Sequence, residues 1–464
     1  MLLAPFTGQV FDGDTFGIPR IELSNWYAEP ANDRIDRGLR LIPKPGTKDL
    51  KRIGTATVLG TGFADKIGDN GAILAHAGNV VEAIDANGAV QQTWSVVNEN
   101  EPTRFVSTEL DTVACTGTKA YILANDTAAS EVSLPNGGQI SDSAALGQIH
   151  VYVEKDSARV WYSSPADASL IAADAFITAE DKPDQLRAIR SFGGALYLFG
   201  VRTLQLIRAT GDEAVPLVFS AAGSLPKGVI GRAAVTEADF GLFTVGDDNI
   251  VYRMSGFQAE RVSTHWIERQ IKAVPIESRR KVRLESYAWE GHTFIVLRLP
   301  EVATYIYNIA TQLWHREKSF QSDQSARVSY VEAWGRVYAG MNDGCLCELD
   351  RNTGTEQGRG IVCEASALVP VTEGRPSMDT LTIEAQMGVV PSGVSPQIEM
   401  RVSADGRDWR NWLQGPIGKI GEYSRRTVFG PFGRMRPPFF AVGLRYSEPY
   451  PLTVTAVRLN DKRP

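Results

Sequence analysis

The stretch Gly335-Arg336-Val337-Tyr338-Ala339-Gly340-Met341-Asn342-Asp343-Gly344-Cys345-Leu346-Cys347-Glu348-Leu349 reads as a glycine, a strand, a tight polar turn and a second strand. Asn-Asp-Gly between two runs of strand-forming residues is a hairpin signal, because left-handed turn residues reverse the chain without splaying the strands. The same pattern occurs four times upstream. It begins at Gly147 (Ile149 to Val153, then Arg159 to Tyr162), Gly194 (Leu196 to Phe199, then Thr203 to Ile207), Gly241 (Leu242 to Val245, then Asn249 to Tyr252) and Gly291 (Thr293 to Leu297, then Thr304 to Asn308). The glycines Gly147, Gly194, Gly241, Gly291 and Gly335 are spaced 47, 47, 50 and 44 residues apart. That period suits propeller blades, in which stacking around an axis covers both faces of each small sheet. Two looser hairpins, Ile73 to Ile84 and Val113 to Leu123, precede the five.

Working outward, the expectation is an all-β chain: a β-propeller of about six to seven blades over residues 61–360, followed by a β-sandwich-like domain over 361–464. Residues 1–60, rich in Pro, Gly, Asp and Arg, read as an N-terminal arm or closing segment. The C-terminal strands are Leu381 to Met387, Gln397 to Ser403, Thr427 to Phe429, Phe440 to Tyr446 and Leu452 to Leu459. One helix is expected, over His265 to Val274, where Trp266, Ile267, Gln270 and Ile271 fall at helical spacing.

Composition narrows the function. The chain has 464 residues, with 48 basic against 54 acidic residues and a net charge of -6. Such a balance gives no general basic footprint for gripping nucleic acid. The four cysteines, Cys115, Cys345, Cys347 and Cys363, are too few for a disulfide scaffold. Cys345 and Cys347 share a strand face, yet no second ligand pair follows at zinc spacing, so they read as packed thiols. The opening Met1-Leu2-Leu3-Ala4-Pro5 lacks the features of a leader, and no run reaches membrane-helix length. The expectation is a protein made and kept in a reducing cytoplasm, or assembled there into something larger.

Catalytic signatures are missing where they should stand. Gly60-Thr61-Gly62 is followed by Asp65 in place of a third glycine, and Gly418-Lys419 by Ile420 in place of Ser or Thr. There is no G-x-S-x-G or H-E-x-x-H. The histidines His76, His150, His265, His292 and His315 are scattered, and His150 and His292 fall in strands as packed or edge residues. Asp350 to Glu356 loosely follows a calcium loop, but Ile361 stands where the closing glutamate belongs. Ser403-Ala404-Asp405-Gly406-Arg407-Asp408-Trp409 approaches the aspartate box of sialidase propellers, but occurs once, outside the propeller, and reads as a structural turn. Glycosidases need two carboxylates at a set separation. Asp174, Glu180, Asp181, Asp184, Glu285 and Glu290 are available, and nothing singles out a pair. No catalytic residue, metal ligand or cofactor site is assigned. Two arginine clusters, Arg425-Arg426 and Arg434-Met435-Arg436, read either as solvated loops or as contacts to another subunit or partner; Arg425, Arg426, Arg434 and Arg436 are the candidate interface residues.

Several segments carry a resemblance. Asn25-Trp26-Tyr27-Ala28-Glu29 followed by Leu41-Ile42-Pro43-Lys44-Pro45-Gly46-Thr47 resembles the opening of the packaged-DNA stabilisation proteins of short-tailed phages, where an Asn-x-Tyr element precedes a Pro-Gly element. Ile189-Arg190-Ser191-Phe192, leading to Leu196 to Gly200 and Leu204 to Ile207, is similar to that family's central hairpin. So are Leu297 to Pro300 with Tyr305 to Asn308 and Trp314, and Ser403 to Gly406 with Gly443 to Arg445 and Leu452 to Val454, to its later segments. The resemblance runs in order along most of the chain and is least marked over about 60 to 180.

The resemblance implies a non-enzymatic virion protein: a tail hub or nozzle subunit in a homo-oligomeric ring, six in the best-known cases, below the portal and adaptor. Such a ring extends the DNA channel, retains the packaged genome and takes part in ejection. Its implied partners are portal and adaptor proteins, a tail needle, plug, fibres or spikes, and double-stranded DNA passing without sequence recognition. The competing readings are a carbohydrate-active, depolymerase-like propeller with an accessory sandwich, and a cellular propeller that docks partners.

Overall fold

The computed structural model describes residues 2–3, 21–30, 39–165, 167–179, 184–212, 215–239, 241–371, 377–387, 390–419, 422, 425–435 and 439–460. The chain divides into two compact units: Met1–Lys48, Ala303–Ser325 and Leu349–Pro464 in one, Asp49–Val302 and Ala326–Glu348 in the other.

The second unit is a β-propeller. Five four-stranded antiparallel sheets follow one another, spanning 58–95, 104–132, 140–178, 186–225 and 235–261. The hairpin of Arg283–Trp289 and His292–Leu299 comes sixth. The seventh sheet comprises Arg327–Ala333, Arg336–Met341 and Cys345–Asp350, with Gly46–Arg52, from the start of the chain, as its outer strand. The first strands of the seven touch in a closed cycle, the last (Arg327–Ala333) meeting the first (Val58–Ala64). These first strands therefore line an axis. The expected six to seven blades resolve as seven.

The repeated glycines have a local cause. Gly147, Gly194, Gly291 and Gly335 all carry positive φ and sit in the short turn between a blade's first and second strands. At Glu290-Gly291 and Trp334-Gly335 both turn residues are left-handed, the two-residue hairpin geometry that matches strand twist. Gly241 instead opens the second strand of its blade.

Packing joins blade to blade. Val58, Ile73, Ala75 and Ile84 of the first blade meet Val331, Ala333, Tyr338 and Leu346 of the seventh in one buried cluster. Gly340 makes that approach possible, since an added Cβ would lie 2.5 Å from Val58 Cγ1. Equivalent apolar clusters join the first blade to the second, the second to the third and the third to the fourth. The helix His265–Ala273 follows the fifth blade, capped by Thr264, with Ile267 and Ile271 buried. It is too short to cross a membrane, as is any helix among the described residues.

The first unit holds two large sheets and, among the described residues, two short two-stranded ladders. One large sheet runs in the order Ala303–Asn308, Leu313–Glu317, Leu23–Ser24, Cys363–Pro370, Phe439–Tyr446, Gln397–Ser403, Leu413–Pro416. The other runs Trp26–Pro30, Leu39–Pro43, Leu452–Leu459, Leu381–Met387, Arg426–Phe429. Trp26, fully buried, donates its indole N–H to the Leu452 carbonyl at 3.2 Å and so ties the first strands to the last.

Candidate functional site

A group of charged residues from several blades meets on the first strands. A cavity of about 250 Å³ is lined by Arg104, Asp142, Arg190, Glu237, Arg283 and Glu285, drawn from the first strands of five blades, together with Arg232. Successive side chains of a strand face opposite sides, which lets the first strands present these residues to the cavity while their neighbours face the other way. Asp142 is fully buried, and its Oδ2 accepts from Arg190 Nη1 at 2.6 Å and from the Ile189 N–H at 3.1 Å. Arg190 also donates to the carbonyls of Val235 at 3.3 Å and Arg232 at 3.1 Å, so one side chain of the fourth blade reaches the third and the fifth. Arg283 donates to the Leu59 carbonyl at 2.7 Å and to Glu285 at 2.5 Å. Arg232 donates to the Pro102 carbonyl. Burial, then the charge of Arg190, pulls Arg104 down to about 10, which leaves it charged at neutral pH.

This arrangement stitches blades together. Asp142 and Glu285 are engaged by guanidinium groups rather than left for proton transfer, and glycoside hydrolysis needs one carboxyl group to act as the acid. Of the further carboxylates that the sequence offered, Asp184 accepts from the Arg202 and Thr203 N–H groups and the Thr203 hydroxyl at 2.8–2.9 Å. Glu290 sits in a left-handed turn. Glu180 and Asp181 lie outside the described residues. Two half-buried tryptophans of the first unit face arginines. Arg401 stacks on Trp409 at 4.4 Å and on Trp412 at 4.3 Å, and Arg445 on Trp412 at 4.5 Å. The Ser403 to Trp409 segment is a turn: Asp405 Oδ1 accepts from the N–H groups of Arg407 and Asp408 at 2.8 Å, which hold its carboxyl below the usual range.

The candidate interface arginines lie on the first unit. Arg425 is exposed and pairs with Glu422 at 2.9 Å. Arg426 is exposed and reaches Glu384 at 3.3 Å. Arg434 is exposed on a short ladder with Ser377, and Arg436 lies outside the described residues.

Residues 42–353 match the model of the family described as "Bacteriophage P22 Gp10, beta-propeller", a phage stabilisation family. The chain belongs to this family. That places it among structural proteins of phage virions concerned with packaged DNA. No curated protein matches in sequence. Among solved structures, the computationally designed Ika8 protein aligns at 11% identity and TM-score 0.39, over 65% of this chain and 99% of the other. The Neurospora crassa Pan2 WD40 domain aligns at 7% identity and TM-score 0.44, over 66% of this chain and 96% of the other.

In this phage-stabilisation propeller, the segments that carried the resemblance prove to be structural nodes. Arg190, from Ile189-Arg190-Ser191-Phe192, is the axial cross-link described above. Asn25 is left-handed, with φ 58°. Its amide donates to the Val362 carbonyl at 2.8 Å and accepts from the Lys318 N–H at 2.9 Å. Lys44 is buried against Glu356 at 3.0 Å and Glu317 at 3.5 Å, and donates to the Lys318 carbonyl at 3.0 Å. Sequence reading had no means of finding Arg104, Asp142, Arg232 or Arg283: single charged residues in strands acquire a common role only when the blades close.

Proposed function

We propose that this family member is a tail-hub, or nozzle, subunit of a short-tailed phage that assembles with copies of itself into a ring of six below the portal and adaptor. The ring extends the DNA channel, retains the genome until ejection and carries a needle, plug, fibre or spike. Membership of the stabilisation family across residues 42–353 carries this reading. Two further features support it: axial charges that serve to join blades, and a net charge of -6 that suits a conduit better than a grip on DNA. A closed ring needs a head-to-tail interface between identical subunits. The exposed Arg425, Arg426 and Arg434, with Arg436, are assigned to that interface or to a tail partner.

The test is quantitative mass spectrometry of purified particles, counting this chain against the portal protein. About half the portal number is expected for six subunits beneath a twelve-subunit portal. Absence from particles overturns the reading, and glycan hydrolysis by the purified protein would favour the depolymerase alternative.

A further inference from the structure

The strand that supplies the outer edge of the seventh blade also brings a third donor to the cysteine pair. Cys345 and Cys347 lie two apart on Cys345–Asp350, so both side chains leave the same face. Their Sγ atoms are 3.5 Å apart. Asp49, on the strand Gly46–Arg52, places Oδ1 3.4 Å from Cys347 Sγ. All three donor atoms lie within 4.8 Å of one another, with both thiols buried and Asp49 exposed. A tetrahedral zinc ion, with Zn–S near 2.3 Å and Zn–O near 2.0 Å, holds two sulfurs about 3.8 Å apart and a sulfur and oxygen about 3.5 Å apart. The two separations at Cys347, 3.5 Å to Cys345 Sγ and 3.4 Å to Asp49 Oδ1, stand within a few tenths of an ångström of those values, and the third lies within 4.8 Å.

We propose that Asp49, Cys345 and Cys347 bind one thiophilic divalent cation of the zinc class, with the fourth position open on the solvent side where Asp49 is exposed. Two sulfurs and one carboxylate suit zinc or cobalt better than magnesium or calcium, which take oxygen ligands. Binding releases the two thiol protons to water, leaving a site of net charge minus one. Beside it, Arg52 donates to Asp343 Oδ2 at 2.8 Å, and Asp343 Oδ1 accepts from the Cys345 N–H at 3.2 Å, so a cation and a further carboxylate frame the site. The ion would clip the strand that precedes the first blade onto the third strand of the last, at the seam where the cycle of blades closes. A ligand that binds only the folded seam stabilises it by mass action.

The experiment uses the full chain, stripped of metal by chelator and kept reduced by a phosphine, then titrated with Co²⁺ and with Zn²⁺. One cobalt per chain is expected, with thiolate-to-cobalt charge-transfer absorption, displacement by zinc and a zinc-dependent rise in melting temperature. Asp49→Asn, at an exposed position, should keep the fold and weaken cobalt binding by about tenfold or more. The double variant Cys345→Ser with Cys347→Ser should lose both the absorption band and the zinc-dependent rise. No thiolate band in the folded wild type, a band that survives the double substitution, or unchanged affinity in Asp49→Asn each overturns the proposal. The aspartate variant decides the matter if the double variant fails to fold.

Discussion

At the scale of single residues, burial turns three histidines into proton-sensitive points. His76, His150 and His315 are each pushed down to about 4, in every case chiefly by burial. His76 has its needs met: one ring nitrogen meets the Thr103 hydroxyl at 2.6 Å and the other the Gly78 carbonyl at 3.0 Å. His150 differs. It is fully buried, stacked beside Tyr152, and neither ring nitrogen has a hydrogen-bond partner among the described residues. The folded-state value lies below the ordinary 6.5, so the unfolded chain takes up the proton first. The stability that depends on neutral His150 is full above about pH 6.5 and is lost as the pH falls toward 4. His150→Leu removes the titrating group and two unsatisfied nitrogens at similar volume. The variant should therefore be at least as stable as wild type at neutral pH, and should lose roughly 3 kcal/mol less on going to about pH 4. Thermal melts of both proteins across that range check this. Parallel curves would show that His150 does not couple to folding.

At the scale of elements, the left-handed turn between first and second strands is the unit that repeats. Gly335 has φ 72°, and a Cβ added there meets nothing within 4 Å. A substitution at this position therefore tests backbone conformation without steric confusion. Gly335→Val should cost about 1–2 kcal/mol, and Gly335→Asn distinctly less, since asparagine tolerates this region better. Denaturant unfolding of the two variants reads the difference, and equal losses would mean that the turn relaxes instead of holding its hand. The same turns explain what was legible. Blades with a glycine there announced themselves at a regular spacing. The second blade uses Thr108 to Asp111, where the Thr108 hydroxyl accepts from the Leu110 and Asp111 N–H groups, so a side chain replaces the glycine and the rhythm disappears. The first blade spreads its turn over Asp65 to Gly71. The C-terminal strands and the one helix were visible from alternation and helical spacing, because both patterns are local. Partners distant in sequence were not. Trp26 reaches Leu452, and Asp49 meets Cys347 across 298 residues, so the cysteine pair looked like packed thiols until the fold supplied its third neighbour.

At the scale of the whole molecule, charge decides what the chain can do to DNA. A protein that neutralises duplex phosphates releases counterions, and its affinity falls steeply as salt rises. This chain has six more acidic than basic residues. Its cavity-lining arginines Arg190, Arg232 and Arg283 already donate to carboxylates and main-chain carbonyls within the propeller. The expectation is duplex binding weaker than about 10⁻⁴ M at physiological salt, the weak end of non-specific affinities. Fluorescence anisotropy of a labelled duplex, titrated at several salt concentrations, measures it. Micromolar affinity with a steep salt slope would mean that the chain grips DNA through a surface that its net charge conceals. Weak binding is what the proposed role as a conduit requires. A wall in register with six to ten phosphates would have to break and remake those contacts at each step of the duplex, and a subunit that helps retain DNA would then also brake its exit. In the proposed ring, retention would come from closure by a partner and from the geometry of the ring, not from the affinity of the propeller for the polymer.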